Sequence, residues 1–193
     1  MWVGSADNRL NSVELLNISA NSTLPAWTLC TTKFPFIVCA HTLTSVELKN
    51  DQFVNLTGGY VDWVGYSKRV WKGTLNSHLT DVVWEEMKGM VYARRGHIAF
   101  FLGQKLVVAG GHNENTSEIF DFNTNNSIEG PKLPCSQFGG ACVTVKGNIA
   151  IITGGRRGLF SSCKIMIYSH ENGFKDLNIK LPEGLFGHVA LLQ

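Results

Sequence analysis

Hydrophobic and polar residues alternate along this chain in short runs, and the runs come in sets. His97-Ile98-Ala99-Phe100-Phe101-Leu102 is one run; a polar step at Gly103-Gln104-Lys105 interrupts it, and Leu106-Val107-Val108-Ala109 resumes it up to Gly110-Gly111. A period of two, broken by glycine and polar residues, predicts a β-hairpin that ends in a glycine pair. Thr116 to Phe122 predicts a third short strand and Asn123 to Asn126 a turn. Ser127 to Glu129 supplies a fourth, edge strand before Gly130-Pro131 and Pro134 break the chain. Four short antiparallel strands in about forty residues make one sheet, too small to bury both faces unaided.

The series recurs on both sides. Downstream it reads Gly140 to Val145, Asn148 to Gly155, Cys163 to Tyr168 and then Phe174 ahead of Leu181-Pro182. Upstream it reads Ala40 to Leu43, Gln52 to Gly59, Lys68 to Trp71 and Val82 to Trp84. The pairs Gly58-Gly59, Gly110-Gly111 and Gly154-Gly155 thus mark a repeat of about fifty residues. The chain, 1–193, reads as one all-β repeat region of four-stranded antiparallel sheets without long helices. It divides into a part-repeat at 1–30, repeats at about 38–88, 95–132 and 138–180, and a terminal first strand at 185–193. Gly4-Ser5 stands where the other repeats have Gly-Gly, and Leu185 to Gln193 matches the run that begins at Arg95. Ile98, Phe100, Leu106, Val108, Val143, Val145, Ile149 and Ile151 are expected on the core faces.

A Gly-Gly ending the second strand, Ile119-Phe120-Asp121 in the third, and Trp27 or Trp84 in the fourth with Pro soon after resemble the kelch-repeat β-propellers. The resemblance covers nearly the whole chain and implies a propeller, or a propeller fragment, built of four-stranded blades. Departures are Ile128 and Phe174 at the fourth-strand Trp position, and Leu16-Asn17 and Trp71-Lys72 for the third-strand Tyr-Asp. The ends admit two accounts: a piece of a larger propeller, or a terminal strand that joins the N-terminal strands to close a ring of four blades. One propeller architecture carries many unrelated activities, so the resemblance implies fold more than function.

Composition narrows the partners. With 44% hydrophobic and 17% charged residues the chain is globular, and a formal charge of +2 with scattered Lys and Arg gives no footprint for nucleic acid. No apolar run reaches membrane-spanning length. Five cysteines, Cys30, Cys39, Cys135, Cys142 and Cys163, contain no CxxC. Cys30 with Cys39 or Cys135 with Cys142 could bridge across turns in an oxidising compartment. Asn17, Asn21, Asn55, Asn115 and Asn125 each head an N-x-S/T sequon, against about two expected by chance, which favours secretion slightly over a cytoplasmic location.

No catalytic constellation emerges: there is no GxSxG, P-loop or Rossmann fingerprint, and the glycine pairs precede no helix that could cradle phosphate. His97 and His188 share one repeat position, with His41 a looser match, so they read as hydrogen-bonding struts between repeats rather than metal ligands. No cofactor is implied. Loops that follow second strands and loops that lead into first strands emerge on one face of such a repeat, where loops carry recognition. That face collects Trp63, Tyr66 and Arg69, then Arg94 and Arg95, then His112, then Arg156 and Arg157, with Tyr60, Lys68 and Tyr92 alongside. Arginine and aromatic residues are the types enriched at binding hot spots. The expected function is a non-catalytic protein-interaction module that presents this face to a protein or peptide, an acidic one among the candidates. The alternatives are a remnant of a carbohydrate-active or galactose-oxidase-like propeller enzyme and a secreted structural glycoprotein.

Overall fold

The computed structural model describes residues 2–3, 11–17, 26–48, 51–78, 80–145 and 148–190. Among them every regular element is a strand. β1 (Trp2–Val3), β2 (Val13–Asn17) and β3 (Ala26–Leu29) form a three-stranded sheet. After β4 (Val38–Cys39) come β5 (Thr42–Leu48) and β6 (Asp51–Thr57), then a small hairpin of β7 (Tyr60–Val61) and β8 (Gly65–Tyr66), then β9 (Val70–Leu75) and β10 (Val82–Met87). β5, β6, β9 and β10 make a four-stranded meander, and the β7–β8 hairpin pairs with β4 on the side. A second meander is β11 (Ile98–Leu102), β12 (Lys105–Ala109), β13 (Ser117–Asp121) and β14 (Asn126–Glu129). A third is β15 (Phe138–Val145), β16 (Ile149–Arg157), β17 (Phe160–Ser169) and β18 (Gly173–Leu185). All pairings are antiparallel.

The sheets stack face to face, and the alternation along β11 and β12 shows how. Ile98, Phe100, Leu102, Val107 and Ala109 point to one side, where they pack with Ala150, Ile152, Met166 and Tyr168 of the third meander. Ala99, Leu106 and Val108 point to the other, against Val70 of the first meander and Met90 of the segment that follows it, with Phe120 beside them. A third cluster, Val13, Phe34, Val38, Leu56, Trp71 and Val82, joins the N-terminal sheet to the first meander. Both faces of the middle sheet are therefore dry, which is why β11 and β12 are apolar at nearly every position. Gly73 makes room for Trp84, which pairs opposite it; a Cβ there would sit 2.7 Å from the indole.

Two expectations need correcting. Ile98, Phe100, Leu106 and Val108 are buried, but Val143, Val145, Ile149 and Ile151 lie half-exposed or exposed on the far face of the third meander. The covered residues there are their neighbours Ala150 and Ile152, because the inward register of β16 falls on the even positions. The terminal strand expected at 185–193 is not formed over its described part: Leu185 ends β18 and residues 186–190 carry no strand. A first strand is held by its second strand, and no described strand lies in that place. Gly4-Ser5 and residues 191–193 lie outside the described residues.

Candidate functional site

The site is built from four connectors that lead into successive first-strand positions. Each holds one residue in the left-handed region: Ala40 (φ 51°), Gly96 (58°), Gly139 (64°) and Gly187 (66°). The N–H of each of the last three donates to the carbonyl of its predecessor, Gly96 to Ala40 and Gly139 to Gly96 at 2.7 Å, Gly187 to Gly139 at 2.8 Å. The second glycine of a pair ties the sheet to the next connector: Gly59 N–H donates to Arg94 O at 2.8 Å and Gly111 N–H to Gln137 O at 2.7 Å. The residue just before each left-handed position, Cys39, Arg95, Phe138 or Phe186, is thereby set beside its neighbour on the loop face. A Cβ on Gly96 would strike the Phe138 ring and one on Gly139 the Phe186 ring, so the glycines let each ring lie flat against the preceding connector.

The result is a ledge of alternating guanidinium and ring. Arg95 Cζ lies 4.9 Å from the Tyr66 ring centre, 5.7 Å from Tyr60 and 5.9 Å from Phe138. Arg156 Cζ lies 5.5 Å from Phe138 and 4.9 Å from Phe186, and the two phenylalanines stack at 5.5 Å. His112 joins the strip: its Nδ1 is 3.1 Å from the Tyr66 hydroxyl, and its ring meets Phe138 edge-on at 5.7 Å. His112, Asn113, Ser136, Phe138, Arg156 and Gly158 enclose a recess of about 30 Å³, the size of one water. Among the described residues no carboxylate is in ion-pair range of Arg95 or Arg156. Arg95 Nε is buried with no hydrogen-bond acceptor among the described residues. Rings hold the two cations in place without neutralising them, since a cation–π contact leaves the N–H fork free at its edge.

The other sequence-derived candidates fall elsewhere. Arg94 cannot meet a partner: its side chain and that of Glu118 are 0% exposed and joined at 3.0 Å. Arg94 Nη1 also donates to Gly110 O and Thr116 O, at 2.9 and 3.0 Å, and Glu118 accepts from Val91 N, Tyr92 N and Ser127 Oγ. This pair pins the connector onto the middle sheet. Arg69 is occupied on its own sheet, 4.1 Å over Phe36 and 3.5 Å from Glu86. Arg157 is exposed, and Trp63 stands fully in solvent at the β7–β8 turn. Phe138 and Phe186 escaped the sequence reading. Aligning Arg95-Gly96-His97 with Phe138-Gly139-Gly140 and Phe186-Gly187-His188 is the signal that finds them.

The repeated histidines are struts. His97 Nε2 lies 2.9 Å from Thr57 Oγ1 and His188 Nε2 2.9 Å from Thr153 Oγ1, each threonine preceding a glycine pair. The middle sheet has Ala109 before its pair and Gly140 in place of the histidine, so both ends of that strut are missing together. Burial pushes the His97 ring down to about 3 and His41 to about 4, so both are neutral. No group of three or more His, Cys, Asp or Glu side chains among the described residues is placed to hold a metal ion. The five cysteines are unbridged. Cys142 Sγ donates to Ala99 O at 3.3 Å, and burial pushes its thiol up to about 12.

Of the sequons, Asn55 is wholly buried with its amide donating to Trp71 O at 3.1 Å, so it offers no acceptor in the folded chain. Asn115 and Asn125 are exposed; the Asn17 side chain and Asn21 lie outside the described residues. No helix among the described residues is long and apolar enough to cross a membrane.

No family model matches this chain, and no curated protein does. The chain is similar in fold to the solved structure of YjhT, with a TM-score of 0.73 at 16% identity over 92% of this chain. It spans 62% of the length of that chain. At this identity the likeness shows the architecture of repeated antiparallel sheets alone.

Proposed function

We propose that this chain is a run of kelch-type propeller blades working as a non-catalytic binding module, and that the Arg95–Phe138–Arg156–Phe186 ledge is where an acidic segment of a partner protein docks. One observation carries the reading. Two guanidinium groups share the Phe138 ring, without a carboxylate of their own in ion-pair range among the described residues. Each of the two side chains is only half-buried, so a carboxylate from outside can pair with the guanidinium edge in a charge-assisted bond. Tyr66, Phe138 and Phe186 supply apolar area around that bond, as aromatic residues do at interface centres.

The test is fluorescence anisotropy with a labelled Asp/Glu-rich peptide. Arg95→Ala or Arg156→Ala should each weaken binding by about 2 kcal/mol, while Lys180→Ala should leave it unchanged. Affinity should fall as salt rises, because part of the attraction is long-range. Equal affinity of the wild type and an Arg95→Ala/Arg156→Ala double variant, both folded, would remove the ledge as the docking site.

A further inference from the structure

Two hairpins on the loop face share a property unrelated to the ledge. Each lies after a glycine pair, at the same place in its repeat: β7–β8 follows Gly58-Gly59, and the β16–β17 ribbon continues past Gly154-Gly155 to a turn at Gly158-Leu159. Their tips carry adjacent large apolar residues in open solvent, Trp63 at 102% and Val64 at 73% exposure on one, Leu159 at 90% and Phe160 at 81% on the other. A Cβ placed on Gly65 or Gly158 would meet nothing within 4 Å, so both turns project clear of the body. Trp63 moreover occupies a left-handed backbone position, φ 64°, where Gly or Asn is the ordinary choice. A bulky ring held in that conformation, fully exposed and with no ring or cation contact among the described residues, adds little to the fold. Strain of this kind, kept without internal return, points to an external contact.

The charge around the tips completes the picture. Lys68 and Arg157 are exposed, Arg95 lies against Tyr66 of the first hairpin and Arg156 is in β16 at the base of the second; none of the four has a carboxylate in ion-pair range among the described residues. Asp62, the acidic residue beside Trp63, already has a partner within the chain. Apolar tips with a basic collar match an anionic bilayer, whose leaflet attracts the collar and whose interface takes up aromatic rings. A protein partner would present packed pockets rimmed by other contacts, whereas these tips hold their apolar residues out in open solvent. We propose that the Trp63/Val64 and Leu159/Phe160 tips anchor this protein peripherally on membranes rich in anionic lipid. Arg95 and Arg156 belong to both the collar and the ledge, but the apolar tips belong to this proposal alone, so a variant changed only at the tips separates it from acidic-partner binding.

The experiment is co-sedimentation with vesicles of phosphatidylcholine alone or mixed with phosphatidylserine. The wild type should pellet with the mixed vesicles and not with neutral ones, less so as salt is raised. A Trp63→Ser/Leu159→Ser/Phe160→Ser variant should bind about tenfold more weakly or worse, from the loss of apolar burial, while its melting midpoint and acidic-peptide affinity stay at wild-type values. Brominated acyl chains should quench the wild-type indole emission, and Trp63→Phe should keep vesicle binding but lose that quenching. Failure of the wild type to pellet, equal pelleting of the triple variant, equal binding to neutral vesicles, or quenching that persists in Trp63→Phe would each overturn the proposal.

Discussion

Glu118 stands on the same face of its strand as Phe120, a carboxylate where the alternation calls for an apolar residue. Such a placement requires a buried cation and several donors, and Arg94 with the Val91 and Tyr92 amides meets that need. Glu118→Ala should therefore destabilise by about 3 to 5 kcal/mol, since it strands a buried guanidinium. Lys105→Ala, at the exposed pair with Asp121, should cost about 1 kcal/mol or less. Chemical denaturation of the two variants checks the contrast. His97 offers a second residue-scale test. Its folded ring is depressed to about 3 from an ordinary 6.5, so the unfolded chain takes up the proton first as pH falls. Stability is full above about 6.5 and declines as pH drops towards the folded value, and His41 adds to the same window. Melting midpoints between pH 7.5 and 5 should fall, and His97→Gln should flatten that slope.

At the scale of the element, the glycine pairs do two jobs. All six glycines have positive φ, and at Gly110 and Gly154 a Cβ would also press on a carbonyl of the next connector, Gln137 O at 2.7 Å and Leu185 O at 2.6 Å. Gly110→Val or Gly154→Val should cost about 1 to 3 kcal/mol from backbone strain alone, plus the clash. Gly158→Val shares the left-handed angle, φ 60°, but meets nothing within 4 Å, so its loss should be distinctly smaller. Thermal melts of the three variants separate strain from contact. The positions of these pairs were legible because glycine punctuates an alternating pattern wherever the chain must turn left-handed. The ledge was only half legible. Arg95 and Arg156 were visible as charged loop residues, but Phe138 and Phe186 are apolar and drew no notice as loop-face residues; only their alignment with Arg95, each one residue before a left-handed glycine, sets them on the loop face. Arg94 and Arg95 are neighbours with opposite fates, since one faces Glu118 in the core and the other faces Tyr66, a distinction that loop residues without a period do not advertise.

In the whole molecule, the apolar clusters lie between consecutive sheets, so each sheet is stabilised by the ones beside it. The middle meander has a partner on both faces, and the far face of the third is open at Val143, Ile149 and Ile151. Amide hydrogen exchange should accordingly be slowest in β12 and β13 and faster in β18, the edge strand of the third meander. Comparable protection in all three meanders would mean that stability is shared more evenly than the packing implies.

The row of left-handed connectors has a direction. Every N–H from Gly96 onward points back to the residue before it, so the series Ala40, Gly96, Gly139, Gly187 grows by the same step each time, although 56, 43 and 48 residues separate its members. What is constant is the joint, and what lies between joints is free to vary in length. Tandem duplication of a segment of about fifty residues in the gene would deliver a new joint already matched to the old ones. Inserted hairpins such as β7–β8 can then be gained or lost without disturbing the row, so surface chemistry can evolve while the frame does not.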